Sequence, residues 1–141
     1  MSYLQQNPIN ESWINDEINE EAIEYAEKFA EFLTKSDDRG VMTLTTSQLR
    51  KFFGEVKRQQ MTGYNKTAFV LLKPKLAYAV GRAKKNKKSF ESVFRIEDFY
   101  DVMSETINIV QSSSNHEKSF KNFTAFFEAI VAYHKKYESN N

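Results

Sequence analysis

The side chains that could catalyse a reaction or bind a metal are few in this chain and lie far apart in sequence. The two histidines, His116 and His134, have no carboxylate at a metal-ligand spacing such as H-E-x-x-H, and the chain has no cysteine. Neither a G-x-S-x-G nucleophile elbow nor a glycine-rich phosphate-binding loop occurs. The simpler interpretation places His134 as a partly buried helix residue and His116 in a loop. We therefore predict a protein that is not an enzyme and that uses no metal or other cofactor.

Charge is the property of this sequence that points most directly to a partner. Residues 1–40 contain 3 Lys/Arg and 10 Asp/Glu, residues 41–90 contain 12 and 1, and residues 91–141 contain 5 and 8. The middle third is therefore strongly basic although the whole chain has a net charge of only +1. Ordinary surfaces intersperse the two signs, so a segregated positive segment favours a polyanionic partner such as nucleic acid over a passive surface.

The basic segment includes a helical face on which cations surround a glycine. On the predicted helix that begins near Thr46, the residues Arg50, Gly54, Lys57 and Arg58 share one face. Glycine costs about 1 kcal/mol relative to alanine inside a helix, so its presence needs a use. Two uses stay open, namely the close approach of a phosphate backbone and the close packing of another helix.

The elements that position these residues are predicted to be helices throughout. Apolar residues recur every three or four positions, with 40% hydrophobic residues and only 4 Gly and 2 Pro. We predict an all-α fold, a compact single-domain bundle of about five helices, with a flexible N-terminal arm at residues 1–12 and the helical domain at residues 13–138. The helices begin near Ser12, Thr46, Asn65 and Phe90, and after a loop at residues 112–115.

Several local features of these helices are predicted in more detail. Thr45 and Gln48 have the spacing of a capping box, and Asn65 is a candidate helix cap. Pro74 interrupts the third helix, which is either kinked near Val70 or split in two. Loops are predicted at residues 36–40 and 84–88. The residues predicted to be buried are Leu49, Phe52, Phe53, Val56, Leu72, Leu76, Val80, Phe123, Phe127 and Ile130.

The glutamates of the first helix have two possible uses. They solvate its outer face, or they take part in head-to-tail association of identical copies, acidic end against basic flank. The lack of cysteine fits a reducing compartment, and the sequence begins without the basic and apolar regions of a signal peptide. No run approaches the roughly 18 apolar residues of a membrane span. We expect a cytoplasmic protein with no membrane partner.

Three blocks in this order resemble the small-subunit family (Csm type) of type III-A CRISPR effector complexes. The first is LTTSQLRKFFGEVK at residues 44–57, the second is LKPKLAYAVGR at residues 72–82, and the third is FTAFFEAIVAYHK at residues 123–135. The first helix and the loops at residues 84–88 and 112–114 match no block.

The resemblance implies a non-catalytic, all-helical subunit of an antiviral ribonucleoprotein. Several copies are expected to stack along the guide–target RNA duplex, beside the other subunits of the effector complex, and to contact its backbone. Guide RNA and target RNA would then be its partners, and base pairing between them would supply the sequence specificity. The RNA-contacting role is carried over to seven cations, which are Arg50, Lys51, Lys57, Arg58, Lys73, Lys75 and Arg82.

Two other classes of function remain compatible with the basic helices. One is a DNA-binding regulator with a core like a helix-turn-helix, formed by the helix at residues 46–60 and its successor. The other is a helical protein-protein adaptor whose basic patch binds an acidic protein.

Overall fold

The described structure consists of helices joined by short connections. A computed structural model describes residues 2–35, 45–85 and 90–138, and within these ranges it contains eight helices and no strand. Five helices have 14 residues or more, which confirms the predicted all-α bundle. The helices are α1 Tyr3–Gln6, α2 Ser12–Asn15, α3 Glu20–Leu33, α4 Thr46–Thr62, α5 Lys66–Val70, α6 Leu72–Lys85, α7 Phe90–Ser112 and α8 His116–Glu138.

Helix α8 is the centre of the bundle because it contacts four other helices. It packs against α2, α3, α4 and α7, whereas α6 packs against α7. Its broad buried stripe therefore needs cover from several helices. Its buried residues are Ser119, Phe120, Phe123, Thr124, Phe126, Phe127, Ile130, Val131 and His134.

Phe127 joins three helices in the core through its contacts with other aromatic rings. Its ring centroid lies 5.2 Å from Phe53 and 5.6 Å from Phe52 of α4, 5.9 Å from Phe99 of α7, and 6.4 Å from Phe123 of its own helix. These distances lie in the range in which aromatic pairs attract beyond their area of burial.

Seven of the ten residues predicted to be buried are buried, and three are only half-buried. Phe52, Phe53 and Val80 line the edge of the core rather than its interior, so that part of the prediction was wrong. For Phe52 and Phe53 the reason is that α4 packs mainly on the single helix α8, and Val80 belongs to α6, which packs mainly on the single helix α7. A helix with one neighbour buries a narrow stripe, here Leu49 and Val56, and leaves the flanking phenylalanines partly open.

The predicted first helix is broken into two helices. The pattern that begins at Ser12 predicts one helix up to Leu33, but α2 ends at Asn15 and α3 begins at Glu20. Asn19 caps α3 by accepting a hydrogen bond from the N–H of Ala22 at 3.0 Å. The side chain of Asn122 in α8 donates to carbonyl oxygens at the end of α2, and this tertiary contact supports the break.

Pro74 lies where its missing N–H costs little. The third predicted helix is split into α5 and α6, and Pro74 is the third residue of α6. The first four N–H groups of a helix have no partner within it, so a proline in the first turn removes no helical hydrogen bond. Of the two alternatives that the sequence left open, the split is the correct one.

The short helix α1 brings the N-terminal segment onto the bundle. The ring of Tyr3 lies 4.9 Å from Phe29 and 4.6 Å from Phe32, and its N–H donates to Asp98 Oδ1 at 3.1 Å. The hydroxyl of Tyr25 donates to the carbonyl oxygen of Asn7 at 2.7 Å. Tyr3 and Asn7 of the predicted arm at residues 1–12 thus have defined contacts, while the separation of this arm from a domain at residues 13–138 stays a prediction.

The predicted loops have different outcomes. The predicted loop at residues 36–40 lies outside the described residues, as do residues 86–88 of the predicted lysine-rich loop. Its first two residues, Lys84 and Lys85, belong to α6. The predicted loop after α7 is confirmed at residues 113–115. No helix in the described part of the chain is both long and apolar enough to cross a bilayer.

Candidate nucleic-acid interface

The N-terminus of α4 is anchored by a local cap and by two contacts with α8. Thr45 and Gln48 form the predicted capping box, with the N–H of Thr45 donating to Gln48 Oε1 at 2.7 Å. Thr46 is buried, its N–H donates to Glu138 Oε2 at 2.7 Å, and its Oγ1 lies 3.2 Å from His134 Nδ1. These contacts hold the first turn of α4, so the helix presents a defined outer face.

The first half of that outer face contains two exposed cations and an open glycine. Arg50, Lys51 and Gly54 are exposed, and neither cation has an ion pair with any residue that the structure describes. A Cβ atom built on Gly54 has no neighbour within 4 Å. Within the described residues no helix packs on this glycine, so helix packing, one of its two open uses, is not found.

Lys57 and Arg58 differ from the first two cations in how their charges are held. The Nζ atom of Lys57 lies 5.8 Å from the ring centroid of Phe53, and the side chain is half-buried. Its stem therefore covers part of the core edge that Phe53 leaves open. Arg58 is exposed but bound by Glu55, with Nη2 2.7 Å from both carboxylate oxygens.

Glu55, the single acidic residue between positions 41 and 90, joins the two basic helices. Its Oε1 atom also accepts a hydrogen bond from Lys75 Nζ of α6 at 2.8 Å, so one carboxylate holds a cation from each helix. These bonds, led by the one from Arg58, lower the pKa of Glu55 to about 2. The group of three keeps a net charge of +1, and the Arg58 and Lys75 side chains remain 68% and 50% exposed.

The remaining two predicted cations lie on α6. Lys73 is half-buried and its Nζ atom hydrogen-bonds to Asn108 Oδ1 of α7. Arg82 is exposed, with its guanidinium carbon 6.0 Å from the ring centroid of Tyr78. Its position leaves the charge accessible to solvent and to a ligand.

The seven predicted RNA-contacting residues therefore do not form one uniform group. The structure brings Arg58 and Lys75 together on Glu55, although 17 positions separate them in sequence. Arg50, Lys51 and Arg82 are exposed without ion pairs to described residues, and Lys57 and Lys73 are half-buried. The sequence did not lead us to predict that Glu55 links the two basic helices. The pattern that could have indicated it is a single acidic residue three positions before Arg58 in an otherwise basic segment.

The histidines are placed differently from their predicted positions. His134 is fully buried instead of partly buried, since α4 covers it through Thr46. His116 is the first residue of α8 rather than a loop residue, and its ring lies 5.5 Å from Tyr64. Among the described residues, no group of three His, Asp or Glu side chains could hold a metal ion.

Together these features define a class, a small all-helical protein with positive charge concentrated on the outer faces of two helices. The family model described as Csm2 Type III-A matches residues 16–140. This match covers most of the chain, so the protein belongs to the Csm2 family, the small subunits of type III-A CRISPR complexes. No curated protein and no solved structure matches it.

Family membership establishes the coarse function. Csm2 is a structural subunit family of the type III-A complex, so this chain is a subunit that associates with the other subunits of such complexes. The resemblance carried by residues 44–57, 72–82 and 123–135 is thereby confirmed, and the family match extends over α3 and α7 as well.

Proposed function

We propose that this subunit binds RNA through the outer faces of α4 and α6, and that it has no catalytic activity of its own. The observation that carries the proposal is the charge of these helices. Residues 56–90 contain ten Lys/Arg and no Asp/Glu, and the exposed cations Arg50, Lys51 and Arg82 have no ion pair with a described residue. Uncompensated cations on a helix face attract a phosphate backbone.

The contact is one to the RNA backbone rather than to base edges. In a guide–target duplex the pairing itself reads the sequence, and a protein along the duplex needs only contacts to phosphate and shape. The open Gly54 supports this, since a helix face without a side chain between Arg50 and Arg58 lets a phosphate backbone come close.

The proposed arrangement along the duplex is supported by the separation of acidic and basic residues onto different helices. Glu20, Glu21, Glu24 and Glu31 are exposed on α3, whereas the cations lie on α4 and α6. We infer that several copies stack along the guide–target duplex with the acidic helix of one copy towards the basic flank of the next.

Salt-dependent binding of RNA tests the proposal. The full chain is titrated with a labelled single-stranded RNA at several salt concentrations, and the same titration is run on the Arg50→Gln/Lys51→Gln double variant. For single strands each phosphate contact contributes about 0.7 to the slope of log K against log salt, so losing both cations should flatten the slope by about 1.4. The matched control is Lys118→Gln/Lys121→Gln, which removes two exposed cations of α8.

The outcomes separate the three classes of function. We expect the loss in the α4 variant to be similar for unrelated RNA sequences and absent in the α8 control. Strong discrimination among DNA sequences would favour the DNA-binding regulator. A chain that binds no nucleic acid at low salt but binds an acidic subunit of the complex would favour the adaptor.

A further inference from the structure

Tyr78 is an aromatic residue placed where the fold does not need it. Of the aromatic side chains whose exposure the structure describes, it alone is exposed, at 69%, whereas the others are buried or half-buried. Neither core packing nor packing against another described helix therefore explains its position.

The ring lies within a stripe of cations on the outer face of α6. Positions 71, 75, 78, 82 and 85 are spaced by four and three residues in alternation, so they follow one side of the helix, and all five are exposed. Lys75, Arg82 and Lys85 are the cations of this stripe. Leu72 and Leu76, which face α7, are buried on the opposite side.

The surroundings of Tyr78 leave its ring accessible. The nearby residues Ala77, Ala79 and Gly81 are small and exposed. A Cβ atom built on Gly81 has no neighbour within 4 Å. The Arg82 guanidinium lies 6.0 Å from the ring centroid. An open aromatic face next to a guanidinium suits a flat, electron-rich ligand that also has a negative charge.

We propose that Tyr78 and Arg82 form a stacking site for an unpaired nucleobase of an RNA strand, with Lys75 and Lys85 flanking it on the same stripe. The inference rests on the proposed RNA binding and adds a base contact to it. Every nucleobase has a flat π-face that stacks on an aromatic ring, and the phosphates on either side of the base meet the cations. Residues 56–90 contain no acidic residue, and Glu55, the anion that contacts Lys75, is also bound by Arg58, so that group of three keeps a net charge of +1.

The test compares RNA ligands that differ in their bases. The full chain and its Tyr78→Ala and Tyr78→Phe variants are titrated with a short single-stranded RNA, with an abasic strand of the same length, and with a fully paired RNA duplex. Base-aromatic stacking predicts a loss of about tenfold in affinity for the single strand in Tyr78→Ala and no loss in Tyr78→Phe. Affinity for the abasic strand and for the duplex should not change in either variant.

Two further measurements separate stacking from charge and from folding. Tyr78→Ala should leave the salt dependence of binding unchanged, whereas Arg82→Gln should flatten the slope of log K against log salt by about 0.7. A 2-aminopurine placed in the strand should be quenched by the wild-type protein and not by Tyr78→Ala. Leu71→Ala is the matched control, since Leu71 is 49% exposed on the same stripe and has no ring.

Each contrary result has a defined meaning. Equal affinity of Tyr78→Ala and wild type for the base-containing strand overturns the stacking site and leaves the proposed RNA binding in place. An equal loss for the abasic strand overturns it too, because the ring would then act without a base. Normal RNA affinity combined with loss of assembly into the complex would show a protein contact instead. A wild-type chain that binds no RNA overturns both proposals.

Discussion

Replacing Glu55 with glutamine removes the charge that links α4 to α6, and its effect on stability has a magnitude that depends on pH. Glu55 accepts hydrogen bonds from Arg58 of its own helix and from Lys75 of α6. Both donors stabilise the carboxylate in the folded protein and lower its pKa from the ordinary value of 4.5 to about 2. The folded state therefore gains stability from this group only while the carboxylate is ionised.

The magnitude follows from the pKa and from the exposure of the partners. A fall from 4.5 to about 2 corresponds to an upper limit of about 3.4 kcal/mol, at about 1.4 kcal/mol for each pH unit. The Arg58 and Lys75 side chains are 68% and 50% exposed, so water screens both ion pairs. We expect Glu55→Gln to lower the free energy of unfolding by about 1 kcal/mol at pH 7.

Urea unfolding at several pH values measures this effect. The difference between wild type and Glu55→Gln should be complete above about pH 5, shrink as the pH falls from 4.5 towards 2, and vanish below that. The control is Glu24→Gln, which breaks an exposed pair with Lys28 within α3 and should cost at most about 0.5 kcal/mol. A difference for Glu55→Gln that stays constant from pH 7 to pH 2 would refute the ion-pair account.

The same substitution has an opposite effect on RNA binding. It raises the local charge by one and releases Arg58 and Lys75 from their shared partner. Removing a unit negative charge about 7 Å from a phosphate in water makes the electrostatic interaction energy more favourable by about 0.6 kcal/mol. We therefore expect a roughly threefold gain in RNA affinity at low salt. A loss of affinity would mean that Glu55 holds the two cations in the geometry that RNA needs.

Three further comparisons test the fold, each by urea unfolding at neutral pH. Phe127→Ala should cost about 3 to 5 kcal/mol because its ring is fully buried among four others, whereas Phe52→Ala should cost clearly less because Phe52 is half-buried; equal costs would contradict the observed burial. Thr45→Ala should cost about 1 kcal/mol by removing the cap of α4, and Ser47→Ala, an exposed position beside it, should be neutral. Asn122→Ala should cost about 1 to 3 kcal/mol by leaving carbonyl oxygens at the end of α2 without their donor, and an unchanged midpoint would show that water replaces it.

Two caps of this protein, those of α4 and α5, were predictable from sequence because they depend on residues within one turn of each other. Thr45 and Gln48 are three positions apart, and so are Asn65 and the N–H of Ala68 to which it binds. Their hydrogen bonds form whenever the helix forms, whatever packs against it. The family was also accessible from sequence, since the three blocks that resemble it lie within the matched residues 16–140.

The candidate interface was predictable only in part. The concentration of cations on the α4 and α6 segments is a property of the sequence, and burial of Leu49, Val56, Leu72 and Leu76 confirms which side of each helix faces the core. The periodicity does not reveal how many helices cover a given face. Phe52 and Phe53 were therefore predicted as buried, although α4 has one main neighbour and leaves them half-open.

Sequence alone thus determined the helical class, the local caps, the family and the segregation of charge, all of which depend on residue type and short spacing. Tertiary structure decided the rest, because it depends on contacts between residues far apart in the chain. Asn122, which supports the break between α2 and α3, lies more than a hundred positions in sequence from the α2 carbonyl group that it binds. Lys75 lies 20 positions from Glu55. Packing of α6 on α7 is what turns Tyr78 outwards. Such contacts form only when whole helices have docked, so no local pattern encodes them.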